Sequence, residues 1–408
     1  MKIIVLSDFA FINGGNAKVA LQTSVDLAKQ GYDVTLFAGA GPIADFLKNI
    51  SNLEVICLNQ YDILSDPNRI RAIINGLWNF KARKAFKCLL KTFNREDTII
   101  HIHSCSKVLS SSCVQVANKM GFKIIYHLHD YGIACPNMGF YNYKKDCICK
   151  KKAMSIQCLI SNCDSRNYFH KVWRYIRQFI QMKIAKMPSE ISAFIAVSNF
   201  SMNILNPYLK NKKNVYIIEN KINGILDDKK IDVSKNKNII FIGRLSPEKN
   251  PVILAKITKM IDVPVIFIGS GQCEREIQDI NKKAVITGWL NKTEMREYIE
   301  QARVLVLTSS WYETQGMVVA EVGKNGIPSI VPSNNAATDF VIDEYNGLIF
   351  KNKDINSLKY MINKILDDDF VKYLGDNVYN YYKQDQNNVD YITKLVTIYK
   401  VVLRKDNI

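Results

Sequence analysis

Short apolar runs alternate with helical patterns, and the alternation runs through the chain twice. The runs lie at 2–7, 32–39, 98–104, 123–130 and 193–198, then at 214–220, 239–244, 264–268, 284–287, 303–308 and 328–332. A run that is apolar throughout suits a strand covered on both faces, and strand–helix alternation implies a parallel sheet. A chain of 408 residues is long for one core, so the reading is two doubly wound α/β domains facing a cleft. The expected spans are 1–210 and 211–385, with a turn-rich insertion at 135–165 and a helical tail at 386–408 free to pack back on the first domain. Ile70, Ile73, Ile74, Leu77, Phe86, Leu89, Leu90 and Phe93 recur at helical spacing and predict one amphipathic helix over 69–93. No run approaches bilayer-spanning length, and "MKIIVL" reads as a buried strand rather than a signal peptide, so a cytoplasmic protein is expected.

Ligands in such sheets bind beyond the carboxyl ends of the strands. The run at 239–244 leads into "GRLSPEKNP", which sets Arg244 and Lys249 before a helix that Pro251 can begin. Two cations beside a helix N-terminus suit an anion, although either alone also suits a plain surface loop. The run at 303–308 leads into "SSWYETQGMVVAE", with a helix expected from about Met317 to Lys324 and a stop at Asn325-Gly326. Glu313 then lies on the loop and Glu321 on the second turn, while Gly316, Met317 and Val318 offer unpaired first-turn N–H groups. Amide donors plus two carboxylates match a ligand rich in hydroxyls and phosphate; a favourable helix dipole alone also explains Glu321. "NGGNAK" opens a helix after the first strand, where Gly14 and Gly15 suit an anion or simply a tight turn. His129 ends the strand in "YHLHDYG" on the same rim; His127 is expected on the other side of that strand, and His101 and His103 end another. "GSG" at 269–271 is followed by Glu274 where a dinucleotide fingerprint has its third glycine, and "GAGPIA" at 39–44 follows the second strand rather than the first.

Charge is uneven. Lys/Arg outnumber acids eight to two over 66–96 and eleven to three over 141–190, which concentrates the net charge of +17 in the first half. That pattern implies an anionic partner such as nucleic acid, acidic lipid or a phosphorylated substrate. No nucleic-acid-binding module accompanies it, so nucleic acid is not the expected partner. The stretch 168–187, "YFHKVWRYIRQFIQMKIAKM", alternates aromatic and basic residues. It reads as a core helix with a solvated basic face, or as a surface for an anionic membrane or a lipid-diphosphate acceptor. Of ten cysteines, five cluster at Cys135, Cys147, Cys149, Cys158 and Cys163. A cytosolic cluster suggests metal before disulfides, and Cys147, Cys149, Cys158 and Cys163 are the candidate structural zinc ligands, on a spacing that is not a standard zinc pattern.

Together these residues resemble retaining glycosyltransferase family 4, of the GT-B fold, in its bacterial surface-polysaccharide type. The resemblance is strongest over 239–350, in "FIGRLSPEKN", "VIFIGSGQ", "VITGWL", "ARVLVLTSSWYETQGMVVAEVGKNGIPSIVP" and "YNGLIF", with Glu313 and Glu321 as the Glu-x7-Glu signature. "HDYGIACPN" with further cysteines resembles the surface-polysaccharide subset. The resemblance implies two Rossmann-like domains, an acceptor-side first and a nucleotide-sugar-binding second. It implies transfer of a sugar from a nucleoside diphosphate to a growing capsule, O-antigen or exopolysaccharide glycan that is lipid-linked, at the inner face of the membrane. Arg244 and Lys249 would hold the diphosphate, Glu313 the donor sugar beside the amides of Gly316, Met317 and Val318, and Glu321 the ribose. The main chain at Thr287 and Gly288 would meet the base, His129 would lie by the transferred sugar, and Gly15 would face the phosphate. The implied catalytic set is His129, Arg244, Lys249 and Glu313, with no cofactor and no divalent metal where the cations carry the diphosphate charge. Many members have an aromatic residue where Gln315 stands, so their sugar preference does not transfer. A sugar-nucleotide epimerase or hydrolase on this fold would need placed catalytic acids that the sequence does not identify; a basic nucleic-acid-binding protein is the alternative of a different class.

Overall fold

The structure, a computed structural model, describes residues 1–209, 214–222, 224–226, 229–384 and 390–404. The boundaries expected at 210/211 and 385/386 fall outside the described residues. The first half contains β1 Lys2–Phe9, β2 Asp33–Ala40, β3 Leu53–Cys57, β4 Thr98–Ile102, β5 Lys123–Leu128, β6 Tyr141–Asn142, β7 Cys147–Ile148, β8 Ala193–Ala196 and β9 Val215–Ile217. Seven of these form one parallel sheet, ordered β3-β2-β1-β4-β5-β8-β9, while β6 and β7 pair as a separate hairpin in the insertion. The second sheet is also parallel, ordered β12-β11-β10-β13-β14-β15, from β10 Asn238–Ile242, β11 Val265–Ile268, β12 Val285–Gly288, β13 Ala302–Val306, β14 Ser329–Pro332 and β15 Gly347–Phe350. In each sheet the strand order reverses beside the first strand, β1 or β10, and this reversal opens a crevice at the carboxyl ends.

Alternation along a strand divides the first domain into two cores. Ile4, Leu6, Ile100, Ile102 and Ile124 enter one; Ile3, Val5, Ile99 and Ile125 enter the other. Helix Gly15–Lys29 covers the second face, together with the C-terminal helix Tyr391–Arg404, whose Leu395, Ile398, Tyr399 and Val402 share its core. The tail therefore returns to the first domain.

Three expectations change. The run at 214–220, expected to open the second domain, pairs with β8 through Phe194↔Val215 and lies at the edge of the first sheet. A short apolar run suits either sheet, and local pattern does not name its partner. The helix expected over 69–93 is two, Arg69–Leu77 and Phe80–Leu90, parted at extended Trp78. Asn79 makes the break: its side chain caps Ala82 N–H and donates to Gln60 and the Val108 carbonyl. Helix Tyr168–Lys183 is turned inside out relative to a core helix with a basic outer face. It buries Lys171, Arg177 and Gln178, the last two donating to the carbonyls of Ser106 and Ile133, and it exposes Phe169 (84%) and Phe179 (51%). It crosses helix Arg69–Leu77 where a side chain on Gly76 would lie 2.6 Å from Trp173, whose Nε1 donates to the Ile73 carbonyl; Ile70 of that helix is 72% exposed. No helix among the described residues is long and apolar enough to cross a membrane.

Candidate active site

Because the second sheet is parallel, the segments after β10, β12 and β13 leave it on the same side. The turn after β10 is stitched to the loop after β13 by Thr308 Oγ1 donating to the Lys249 carbonyl (2.8 Å) and Ser310 N–H to the Glu248 carbonyl (2.8 Å). Asn250, in the left-handed region, then leads into helix Pro251–Met260, with Pro251 at its first position as expected. This stitching delivers Lys249 Nζ to Glu313 Oε1, with both side chains largely buried. The same oxygen accepts Ser309 Oγ (2.6 Å) and Trp311 Nε1 (2.9 Å). Burial works to raise the Glu313 pKa, but the Lys249 ammonium and these three hydrogen bonds outweigh it and hold the carboxyl below its usual range. Glu313 is thus an ionised acceptor rather than an acid. Arg244 reaches out from the same turn, paired with Glu248 (3.2 Å) and largely exposed.

Gly316 caps helix Met317–Gly323 with φ +73, and a Cβ there would lie 2.8 Å from Ala337 Cβ, so both backbone and space require glycine. Across the cleft, a Cβ on Gly15 would meet Met317 Cε at 3.3 Å, and Lys18 Nζ lies 3.3 Å from Glu321 Oε1. The Gly-Gly loop of the first domain and the helix start of the second therefore face each other. Val318 is half-buried on the first turn. Thr287 and Gly288 end β12, with Gly288 at φ +75 and the Thr287 hydroxyl donating to its carbonyl. Beside them, Gly269 presses on the Gly243 carbonyl, and Glu274 binds the Gly271 N–H (2.6 Å), so the residue in the third-glycine position closes its own turn.

His129 meets the Glu313 loop directly. Thr314 Oγ1 donates to the His129 carbonyl (2.9 Å), Tyr131 hydroxyl to the Glu313 carbonyl (3.2 Å), and Ser198 Oγ to the Thr314 carbonyl. His129 is buried, which drives its pKa down to about 3. His127 does not face the other side: its ring stacks on His129 at 4.1 Å, because residues two apart share a strand face. Gln315 is buried and accepts from Asn220 (2.5 Å). Ser309, Trp311, Thr314 and Tyr131 were not singled out from sequence; the first three lie inside or beside the quoted loop, and only the fold shows what they touch.

The four cysteines expected to bind zinc are not gathered. Cys147 is exposed on β7, whereas Cys158 and Cys163 are buried near Cys135, around the buried ammonium of Lys171, 3.2 Å from Cys158 Sγ. The hairpin leaves Cys147 exposed, while Cys149 is half-buried near Cys163. Among the described residues, the three His, Cys, Asp or Glu side chains with ligand atoms mutually within 4.8 Å are His101, His103 and His127.

The family model for glycosyl transferases group 1 matches residues 225–384, the second domain. The chain is 25% identical over 191 residues to a UDP-Gal:alpha-D-GlcNAc-diphosphoundecaprenol alpha-1,3-galactosyltransferase of Escherichia coli, covering 43% of this chain and 49% of that one. The match thus spans about half the length of that curated relative. In fold, the chain is similar to sucrose-phosphate synthase of Thermosynechococcus elongatus (TM-score 0.72, 17% identity, 99% of each chain). It is also similar to Anabaena HepE in complex with UDP and glucose (TM-score 0.64, 16% identity, 98% of this chain and 99% of that one).

Proposed function

We propose that this chain, whose fold is that of the GT-B glycosyltransferases and whose second domain matches the glycosyl transferases group 1 model, moves a sugar from a nucleoside diphosphate to a lipid-diphosphate-linked bacterial surface glycan, retaining the anomeric configuration and needing no divalent metal. The observation that carries the reading is the Lys249–Glu313 unit, held at the strand ends opposite His129 and Gly15. When the glycosidic bond breaks, its electron pair leaves with the diphosphate. Arg244 and Lys249 supply positive charge where that negative charge grows. Glu313 accepts donor-sugar hydroxyls, using the oxygen that Lys249, Ser309 and Trp311 leave unused. Glu321 takes the ribose, the main chain at Thr287 and Gly288 the base, and the amides of Gly316, Met317 and Val318 the sugar or phosphate oxygens. The acceptor hydroxyl attacks from the side the diphosphate leaves and passes its proton to the departing phosphate oxygen.

Two observations support the acceptor class. The Escherichia coli relative is named for a diphosphoundecaprenol-linked acceptor. The inside-out helix, with Phe169 and Phe179 exposed in the cation-rich half, suits peripheral docking on an anionic bilayer from the cytoplasmic side. Calorimetry with UDP- and GDP-sugars tests the donor. Transfer to a polyprenyl-diphosphate sugar, with and without EDTA and with the product anomer read by NMR, tests the rest. Binding of one donor, an EDTA-insensitive rate and an unchanged anomer are expected; failure to bind any nucleotide sugar, or an inverted product, overturns the reading.

A further inference from the structure

Four of the chain's five histidines form one buried column. His101 and His103 come from the end of β4, His127 and His129 from the end of β5, and their odd numbering sends all four to the face covered by the C-terminal helix. The rings His101–His103 and His127–His129 lie 4.1 Å apart, and His103–His127 lie 4.9 Å apart. Two hydrogen bonds cross between the strands: His101 Nε2 to His127 Nδ1 (3.2 Å) and His103 Nδ1 to His129 Nε2 (2.8 Å). At the far end, the hydroxyl of buried Tyr399 lies 2.7 Å from His101 Nδ1. Although three of these rings have metal-like spacing, His101 has both nitrogens engaged, and the His101 and His127 nitrogens point at each other along a hydrogen bond instead of converging on one centre.

A neutral imidazole carries one N–H, so each hydrogen bond constrains the next ring. Burial keeps all four rings neutral. A phenol is the natural donor at the end of the row. With Tyr399 donating to His101 Nδ1, His101 donates from Nε2 and His127 keeps its proton on Nε2. That N–H and His103 Nε2 are the two fully buried column nitrogens that make no hydrogen bond. With the His103 and His127 rings 4.9 Å apart, an N–H on one and a lone pair on the other attract, whereas two buried N–H groups would repel each other. His103 then carries its proton on Nδ1 and donates to His129 Nε2, which leaves the His129 proton on Nδ1.

We propose that His101, His103, His127 and Tyr399 are positioning residues that lock His129 in the Nδ1–H tautomer, so that it meets an oxygen of the bound donor as a hydrogen-bond donor and never as a base. The role at the donor rests on the function proposed above, whereas the tautomer does not. The test is a two-bond 15N–1H correlation spectrum of the 15N-histidine-labelled full chain, whose five histidines keep it resolvable. Wild type is expected to show His129 as Nδ1–H. His103→Asp replaces the donor at Nδ1 with an acceptor, and should turn His129 to Nε2–H and lower kcat roughly tenfold or more while the nucleotide-sugar Kd stays within about threefold. His103→Asn restores an N–H near that position and should restore both the tautomer and most of kcat. Should His103→Asp not fold, Tyr399→Phe, which removes one hydroxyl, should yield a mixture of His129 tautomers. A wild-type His129 in the Nε2–H form, or an unchanged tautomer in the variant that folds, overturns the proposal. If no nucleotide sugar binds but the spectrum is as expected, the functional reading fails and the tautomer lock stands.

Discussion

The histidine column makes the first domain sensitive to mild acid. Burial drives His101 to a pKa of about 3, with a smaller contribution from His129, and burial alone does the same to His129; His103 and His127 shift the same way. In an unfolded chain these rings titrate near pH 6.5. Since the folded pKa is the lower one, the stabilisation is complete above pH 6.5 and falls away as pH drops below it, because only the unfolded chain takes up protons. At about pH 5.5 each ring with a folded pKa near 3 forfeits about 1.4 kcal/mol relative to about pH 7.5, so His101 and His129 together account for roughly 3 kcal/mol. The figure is insensitive to the folded value, since the buried rings remain unprotonated throughout. Asp130 and Asp339, raised by burial, act in the opposite sense, so the clean quantity is a difference between two proteins. Urea denaturation followed by circular dichroism, at both pH values, should give wild type a larger loss than His101→Gln by about 1.4 kcal/mol. Equal losses in the two proteins would refute the argument that His101 is buried in its neutral form.

At the site, Glu313→Ala should abolish transfer and leave the circular dichroism spectrum unchanged; wild-type turnover in that variant would remove its assigned role. Arg244→Ala should weaken donor binding and, because it leaves buried Glu248 without its ion-pair partner, lower Tm modestly; Lys249→Ala leaves Glu313 buried with only Ser309 and Trp311 and should also lower both, as calorimetry and thermal scanning will read. Gly269→Ala would force a Cβ to 2.0 Å from the Gly243 carbonyl oxygen and should destabilise by about 3 kcal/mol or more, read as a fall in Tm. Phe169→Ser should weaken co-sedimentation with anionic vesicles roughly tenfold, with Tm unmoved because the ring is 84% exposed. Absence of wild-type binding at any salt concentration would count against the membrane face.

Much of this arrangement was legible in the sequence because parallel strands covered on both faces are short and apolar, and their loops emerge on one side. The Glu313 loop, the Pro251 helix start and the Gly316 cap follow from residue order and local chemistry alone. What was not legible depends on partners distant in sequence. Val215–Ile217 reads equally well as an edge of either sheet until β8 pairs with it. Asn79 breaks a helix whose apolar spacing continues unbroken, because Gln60 and Val108 supply partners that no local window contains. The inversion of Tyr168–Lys183 depends on the carbonyls of Ser106 and Ile133, which give Arg177 and Gln178 a reason to turn inward. Four histidines in two separate runs become one column only when β4 and β5 lie side by side.

The carboxylates assigned to the donor are already satisfied without it. Lys249 neutralises Glu313, Lys18 reaches Glu321 from the opposite domain, and Glu248 holds Arg244. A buried carboxylate left unpaired would destabilise the loops that carry it, so these pairs preserve the site's shape between turnovers. In the proposed reaction a nucleotide sugar would enter partly by exchange of partners: its diphosphate would take the cations and its ribose the Glu321 carboxylate, while its sugar hydroxyls would add to the Glu313 oxygen that Lys249, Ser309 and Trp311 leave unused. Each bond made to the cations or to Glu321 would replace one already present, which would limit how tightly the ground state is held. On the proposed mechanism the cations would gain most when diphosphate charge increases, as the glycosidic bond breaks, and that difference between ground and transition state would accelerate the reaction.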